Sequence, residues 1–175
     1  TDMIEKFGIY LEPLTLEMAM LVRKWRNSPK VNHFMDFKEQ ITKEQQEKWF
    51  ATTLISENVY FIIHKESTPI GLIHLDQLDT TQKSAFAGLF IGNEKFEGTG
   101  IAFKASIALL EYAFETLKLE TVYAKVHKDN KVAIDYNNNL GFKSDGKELD
   151  PFLRLKIDAA AFYSKRSYLI NLLSL

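Results

Sequence analysis

The chain has 175 residues, 46% of them apolar and 26% charged, with a formal net charge of −1. That length and balance fit one domain, residues 1–175, around a single core, and the near-neutral charge argues against a surface built on nucleic-acid phosphates. No cysteine is present, which excludes disulfides, a thiol nucleophile and a cysteine zinc site; no apolar run approaches the roughly 18 residues of a membrane span. The first residues, Thr1 to Lys6, carry no signal-peptide pattern, so the expected compartment is the cytoplasm.

In chain order, Ile9 to Leu14 reads as a first strand. Thr15 caps a helix whose apolar positions Met18, Leu21, Val22 and Trp25 follow helical spacing. Thr42 and Gln45 form a capping box for a second helix reaching about Leu54. Val59 to His64 and Pro69 to Leu75 are strands joined by a hairpin around Glu66-Ser67-Thr68, and Ala85 to Gly92 is a third. A helix from Ile101 to Leu117 places Lys104, Glu111 and Glu115 on one face and Ala105, Leu109 and Ala113 largely opposite. Thr121 to His127 is a strand, and Asn130 caps a helix that Gly141 ends. Phe142-Lys143 and Phe152 to Ile157 predict a closing hairpin around Asp145-Gly146, and Asp158 caps a final helix. The order β-α-α-β-β-β-α-β-α-β-β plus a terminal helix predicts an α/β fold, with a mixed sheet of about six or seven strands and helices on both faces. The last helix either patches the core or makes a dimer seam, so the expected state is a monomer or homodimer.

The richest stretch is Leu89-Phe90-Ile91-Gly92-Asn93-Glu94-Lys95-Phe96-Glu97-Gly98-Thr99-Gly100-Ile101-Ala102. A strand ends, a short loop turns, and two glycines sit where a helix begins. The first N–H groups of a helix lack internal partners, the dipole adds about half a positive charge, and glycines let a phosphate approach closely. A Walker loop is excluded, because five residues separate Gly92 from Gly98 and Thr99 stands where Lys is needed. A dinucleotide fingerprint is excluded because Phe103 replaces its third small residue.

The segment Glu97-Gly98-Thr99-Gly100-Ile101-Ala102 resembles the acetyl-CoA pyrophosphate loop of the GNAT N-acetyltransferases, Gln/Arg-x-x-Gly-x-Gly/Ala, with Glu97 departing from the basic or amide residue. Asp129 to Phe142 resembles the family's Asn-x-x-Ala-x-x-x-Tyr-x-x-x-Gly-Phe helix. Trp25-Arg26-Asn27, Val31, Met35, then Ile41-Thr42, Glu44-Gln45 and Trp49-Phe50 look like the ribosomal-protein and polyamine acetyltransferase branch. They are also similar to the sugar-nucleotide N-acetyltransferases of pseudaminic acid synthesis. The resemblance runs from about Ile9 to Phe142.

The resemblance implies acetyl-CoA as co-substrate and direct transfer to a primary amine on an amino sugar or sugar nucleotide, a polyamine or a protein N-terminus. Gly98, Thr99, Gly100, Ile101 and Ala102 would hold the pyrophosphate, Asn130 the cofactor arm, and a backbone N–H near Phe90 or Ile91 the thioester oxygen. Glu97 should point away from the pyrophosphate. Related enzymes often place a Glu base at the position of Phe86, which cannot accept a proton; His74 on the neighbouring strand is the nearby group that titrates near neutrality. The family's thiol-protonating Tyr aligns with Asn137, and Tyr136 has the spacing of a core residue. With both positions altered, a CoA-binding sensor with little catalysis stays an alternative. Arg26 and Asn27 end the first helix beside the acceptor cleft, where Arg26 could bind a phosphate or carboxylate. His33, His64, His74 and His127 show no metal-site spacing with a carboxylate, so no metal is expected.

Overall fold

The helix starts follow local chemistry. In the computed structural model, which describes residues 1–175, the Thr15 side chain accepts the Met18 N–H and opens α1 (Leu16–Arg26). A one-turn α2 (Pro29–Asn32), not expected from the sequence, follows. Thr42 and Gln45 close a reciprocal capping box at the start of α3 (Lys43–Ile55). The later helices are α4 (Ile101–Glu111), α5 (Lys131–Leu140), capped by Asn130 and ended by left-handed Gly141, and α6 (Ala159–Leu172), capped by Asp158.

The strands are β1 (Ile4–Lys6), β2 (Ile9–Pro13), β3 (Val59–Lys65), β4 (Thr68–Asp79), β5 (Ser84–Ile91), β6 (Thr121–His127), β7 (Lys143–Leu149) and β8 (Phe152–Asp158). They form one eight-stranded sheet in the order β1-β2-β3-β4-β5-β6-β8-β7. That is one or two strands more than expected, because Ile4–Lys6 adds a short edge to β2. Only β5 and β6 run parallel, joined by the α4 crossover.

Alternation along β3 separates two layers. Phe61 and Ile63 join the main core under α4 and α6, with Leu11, Ile73, Leu75, Val122, Ile157 and Phe162. Ile62 faces the other way and meets Val22 of α1 and Leu72 of β4, beside Trp25, Tyr60 and Phe90. Helices therefore cover both faces.

Two local expectations change. Glu111 does not share a solvent face with Lys104: it is 5% exposed and receives hydrogen bonds from Lys6 of β1 and Arg166 of α6. Its helix is apolar nearly all round because it lies under the sheet, and beyond Glu111 it loosens into a π-helical turn, Tyr112–Thr116. The closing hairpin turns at Asp150-Pro151, not at Asp145-Gly146. Gly146, at φ +80°, lies inside β7, where the pairing with β8 shifts between Ser144 and Glu148.

Candidate active site

The parallel pairing of β5 and β6 covers only Ser84–Ala87 against Thr121–Ala124. Past that point β6 stays with β8 while Gly88 to Ile91 pair with β4 alone. The split leaves a row of β5 backbone groups without a strand partner on one side. It opens a cavity of about 760 Å³, walled by β5, the start of α4, α5, β6 and the segment after α1. Phe90, Ile91, Ala102, Asn130, Asn137, His74 and Arg26 all line it.

At one end stands the glycine loop. Gly98 (φ +69°) and Gly100 (φ +83°) adopt left-handed backbone, and Gly100 is the cap of α4 without a side chain to satisfy its first amides. The first amide of this helix to bond within the chain is that of Lys104, to the Gly100 carbonyl; those of Gly98 to Phe103 remain free. The Thr99 hydroxyl is turned back onto the Phe96 carbonyl at 2.6 Å, so backbone groups face outward. Gly98, Thr99, Gly100 and Ile101 stand at the rim rather than in the cavity wall, and Ile101 sends its side chain into the core. Glu97 does not point away: it lines the cavity, and Lys30 of α2 holds its carboxylate at 3.0 Å. That pairing offsets the charge that would oppose a pyrophosphate.

The α5 wall divides its polar groups between scaffold and cavity. Asn130 Oδ1 accepts the Ala133 N–H at 3.2 Å, which fixes the cap and leaves its amide N–H groups uncommitted. The Tyr136 hydroxyl donates to the Ala102 carbonyl at 2.7 Å and accepts from Ser106 at 2.5 Å. Its ring packs on Phe103, with centroids 4.4 Å apart, and burial pushes the phenol pKa well above its ordinary value. Tyr136 thus pins α5 to the start of α4. Asn137 faces the cavity and donates one N–H to the Ala133 carbonyl at 2.8 Å.

The opposite end is built by cross-strand register. Tyr60 pairs with His74, His74 with Gly88, and Asp76 with Phe86, so these side chains share one sheet face. The His74 ring stacks on Tyr60 at 5.1 Å and lies directly over Gly88. Its Nδ1 is buried without a hydrogen-bond partner, 3.7 Å from Asp76 Oδ2. Burial lowers the His74 pKa, with Asp76 opposing and Arg26 adding to the shift. Burial also pushes the Tyr60 phenol up to about 12, with the Asp76 charge beside it. Arg26 enters from the end of α1; its Nε is buried without a partner, and burial lowers its pKa.

Asn27 does not join this group. Its amide donates to the Ile41 carbonyl at 3.0 Å and accepts the Ile41 N–H at 2.7 Å. With Arg23 Nε on the same carbonyl at 2.7 Å, it clamps the segment between α1 and α3. Its side chain is a structural clasp, not a cavity group. Sequence reasoning missed Asp76, Tyr60 and Lys30. The two-residue spacing of His74 and Asp76 in one strand was the available signal for the first.

Sequence and fold are shared with known proteins. Residues 9–143 match the acetyltransferase (GNAT) domain. The acetyltransferase PseH of Campylobacter jejuni is 34% identical over 114 residues, 65% of this chain and 69% of that protein. Apo FdhC, a nucleotide-linked sugar GNAT, superposes with a TM-score of 0.81 at 21% identity, covering 95% of each chain. Spermidine N-acetyltransferase from Vibrio cholerae, in complex with CoA and spermine, gives 0.81 at 18% identity, covering 90% of this chain and 99% of that one. With the free amides, the unpaired strand edge and the domain match in agreement, the chain belongs to the GNAT acetyltransferase family and is an acyltransferase that uses acetyl-CoA as co-substrate.

Proposed function

We propose that the chain transfers the acetyl group of acetyl-CoA to the amine of a nucleotide-linked amino sugar. The observation that carries this choice is Arg26: a half-buried guanidinium lining the cavity, its Nε sealed without a partner and no carboxylate of the chain paired to it. A partly desolvated cation without a partner suits an anion, and a phosphate of the acceptor would meet it with a planar, bidentate fit. A polyamine would bring more positive charge to the same place. The likeness of fold to FdhC, a nucleotide-linked sugar GNAT, points the same way, and the sensor alternative draws no support from the family or its relatives.

The residues divide the work by position. Free amides of Gly98 to Ala102 hold the pyrophosphate, and the uncommitted N–H groups of Asn130 meet the cofactor arm. The bare edge at Phe90 and Ile91 aligns the pantetheine as an added strand would, with a backbone N–H at the thioester oxygen. His74, kept neutral near pH 7 by burial, takes a proton from the acceptor amine. Asn137 faces the departing sulfur and offers a weak hydrogen bond.

The test is thiol release from acetyl-CoA with four acceptors: a free amino sugar, a nucleotide-linked amino sugar, spermidine and an N-terminal peptide. The expected result is the highest kcat/KM for the nucleotide-linked amino sugar. Spermidine or the peptide ranking first would overturn the acceptor assignment, and no turnover with any amine would return the sensor reading.

A further inference from the structure

We infer that Asp76 is the seat of the acceptor's ammonium group, and that Asp76 and His74 together receive the amine in its protonated form and strip one proton from it. The inference rests on the acetyl-transfer reading of this cavity and adds a residue that the reading did not contain. Three placements carry it.

Asp76 lies directly across from Phe86 in the β4–β5 register. Phe86 has no group that accepts a proton, so on this face the carboxylate stands one strand over, on β4. Asp76 also lines the cavity, and its side chain keeps 27% of its surface accessible. Two groups of the chain stand beside it: the Tyr60 phenol, turned toward its carboxylate, and His74 Nδ1 at 3.7 Å, too far for a hydrogen bond and without another partner. Of the two ring nitrogens of His74, Nδ1 is closed off and Nε2, over Gly88, is the one open to the cavity, so an ammonium seated on Asp76 meets His74 through Nε2.

The other groups facing this point leave the role to Asp76. Tyr60 from β3 stays a neutral phenol, Phe86 from β5 and Trp49 from α3 carry no charge, and Arg26 from α1 is itself a cation. Asp36 and Glu97 also line the cavity, but Lys125 and Lys30 pair with them, so Asp76 is the lining carboxylate without a lysine or arginine partner. Arg26 and Asp76 side by side give this end both signs, which fits an acceptor that carries an ammonium and an anionic group together.

The proton count closes. The ammonium arrives with three N-bound protons and gives one to His74 Nε2, which is free to accept when the ring proton sits on Nδ1, toward Asp76. The amine lone pair then forms the C–N bond at the thioester carbonyl, the C–S bond breaks, and the sulfur leaves with the electron pair. A second N-bound proton goes to the sulfur through water, and His74 passes its proton to solvent. Ammonium and thioester become amide, thiol and one released proton.

The experiment is a pH series, from neutral to above the amine's own pKa, with wild type and Asp76→Asn on the nucleotide-linked amino sugar. At neutral pH the substitution should raise the acceptor KM by about tenfold or more, the usual effect of losing a charged hydrogen-bond partner, and leave the acetyl-CoA KM unchanged. The difference should shrink as pH rises and the amine enters uncharged. A penalty constant across pH, a parallel rise in acetyl-CoA KM, or wild-type kinetics in Asp76→Asn would overturn the inference and leave the acetyl-transfer reading standing. Wild type inert toward every amine would remove both. Asp76→Ser, read in the same series, guards against a variant that fails to fold, with thermal melting as the check.

Discussion

Gly88→Ala probes the positioning of His74 without touching a polar group. A Cβ at Gly88 would stand 2.3 Å from His74 Nε2, 2.5 Å from Cε1 and 3.3 Å from Cδ2. Comfortable contact is about 3.5–4.0 Å, so the ring must move by more than about 1 Å. Tyr60 stacks on the same ring at 5.1 Å, so the displacement spreads into β3. Overpacking of this kind costs about 1–3 kcal/mol. At roughly 2–4 °C per kcal/mol for a domain of this size, Tm should fall by about 2–12 °C. A catalytic group misplaced by about 1 Å costs on the order of a hundredfold, so kcat should fall by that amount while the acetyl-CoA KM holds. The assay is thiol release alongside thermal melting, run as a double-mutant cycle with His74→Ala. Once the imidazole is gone the three atoms nearest the added methyl go with it, so Gly88→Ala should then cost far less in stability and rate. Additive losses in the cycle, or a Gly88→Ala enzyme with more than half the wild-type kcat, would refute the reasoning.

Gly100→Val forces a β-branched residue to φ +83° and so shifts the backbone that aims the free amides; acetyl-CoA Kd by calorimetry should rise by more than the tenfold or so that about 1.4 kcal/mol represents. Tyr136→Phe removes the donor to the Ala102 carbonyl and should destabilise by about 1–2 kcal/mol in denaturant melts while sparing kcat; Asn137→Ala should lower kcat by less than tenfold, far short of the roughly 10²–10⁴ of a proton-transfer acid. His74 has its pKa lowered on folding, so the unfolded chain binds the proton more readily. Stability should therefore fall as pH drops below about 6.5, and His74→Gln should flatten that acid limb in pH-dependent melts.

What could be read from the sequence was chiefly what is local. Thr15, Thr42 with Gln45, Asn130 and Asp158 each cap the helix that their spacing announces, since a cap involves residues two or three apart. The glycine loop is equally local: two left-handed glycines before a helix need no tertiary context. Register is different. Nothing in the neighbourhood of Glu111 announces that Lys6 and Arg166 will reach it, 105 and 55 residues away along the chain. Asp145-Gly146 has better turn chemistry than many true turns, yet β7 runs through it because pairing with β8 resumes at Glu148. Asn27 and Arg26 are neighbours of similar polarity, and only the fold shows that one clasps Ile41 while the other faces the cavity.

The two departures from the family pattern, Phe86 and Asn137, have different physical consequences. On the leaving-group side little is lost. A thiol with pKa near 8.5 departs as thiolate at small cost, so the site can spend the neighbouring Tyr136 hydroxyl on joining α5 to Ala102 and Ser106. On the nucleophile side the demand stays, because an alkylamine near neutral pH is almost wholly protonated and cannot attack. A site that discards its strand-borne carboxylate must hold another within reach. Asp76 stands opposite Phe86 in register, with an unsatisfied imidazole nitrogen beside it. On the proposed reading, the asymmetry between an easy leaving group and a reluctant nucleophile accounts for His74, Asp76, Tyr60 and Arg26 standing together where the acceptor would enter, with Asn137 and the backbone sufficing at the sulfur.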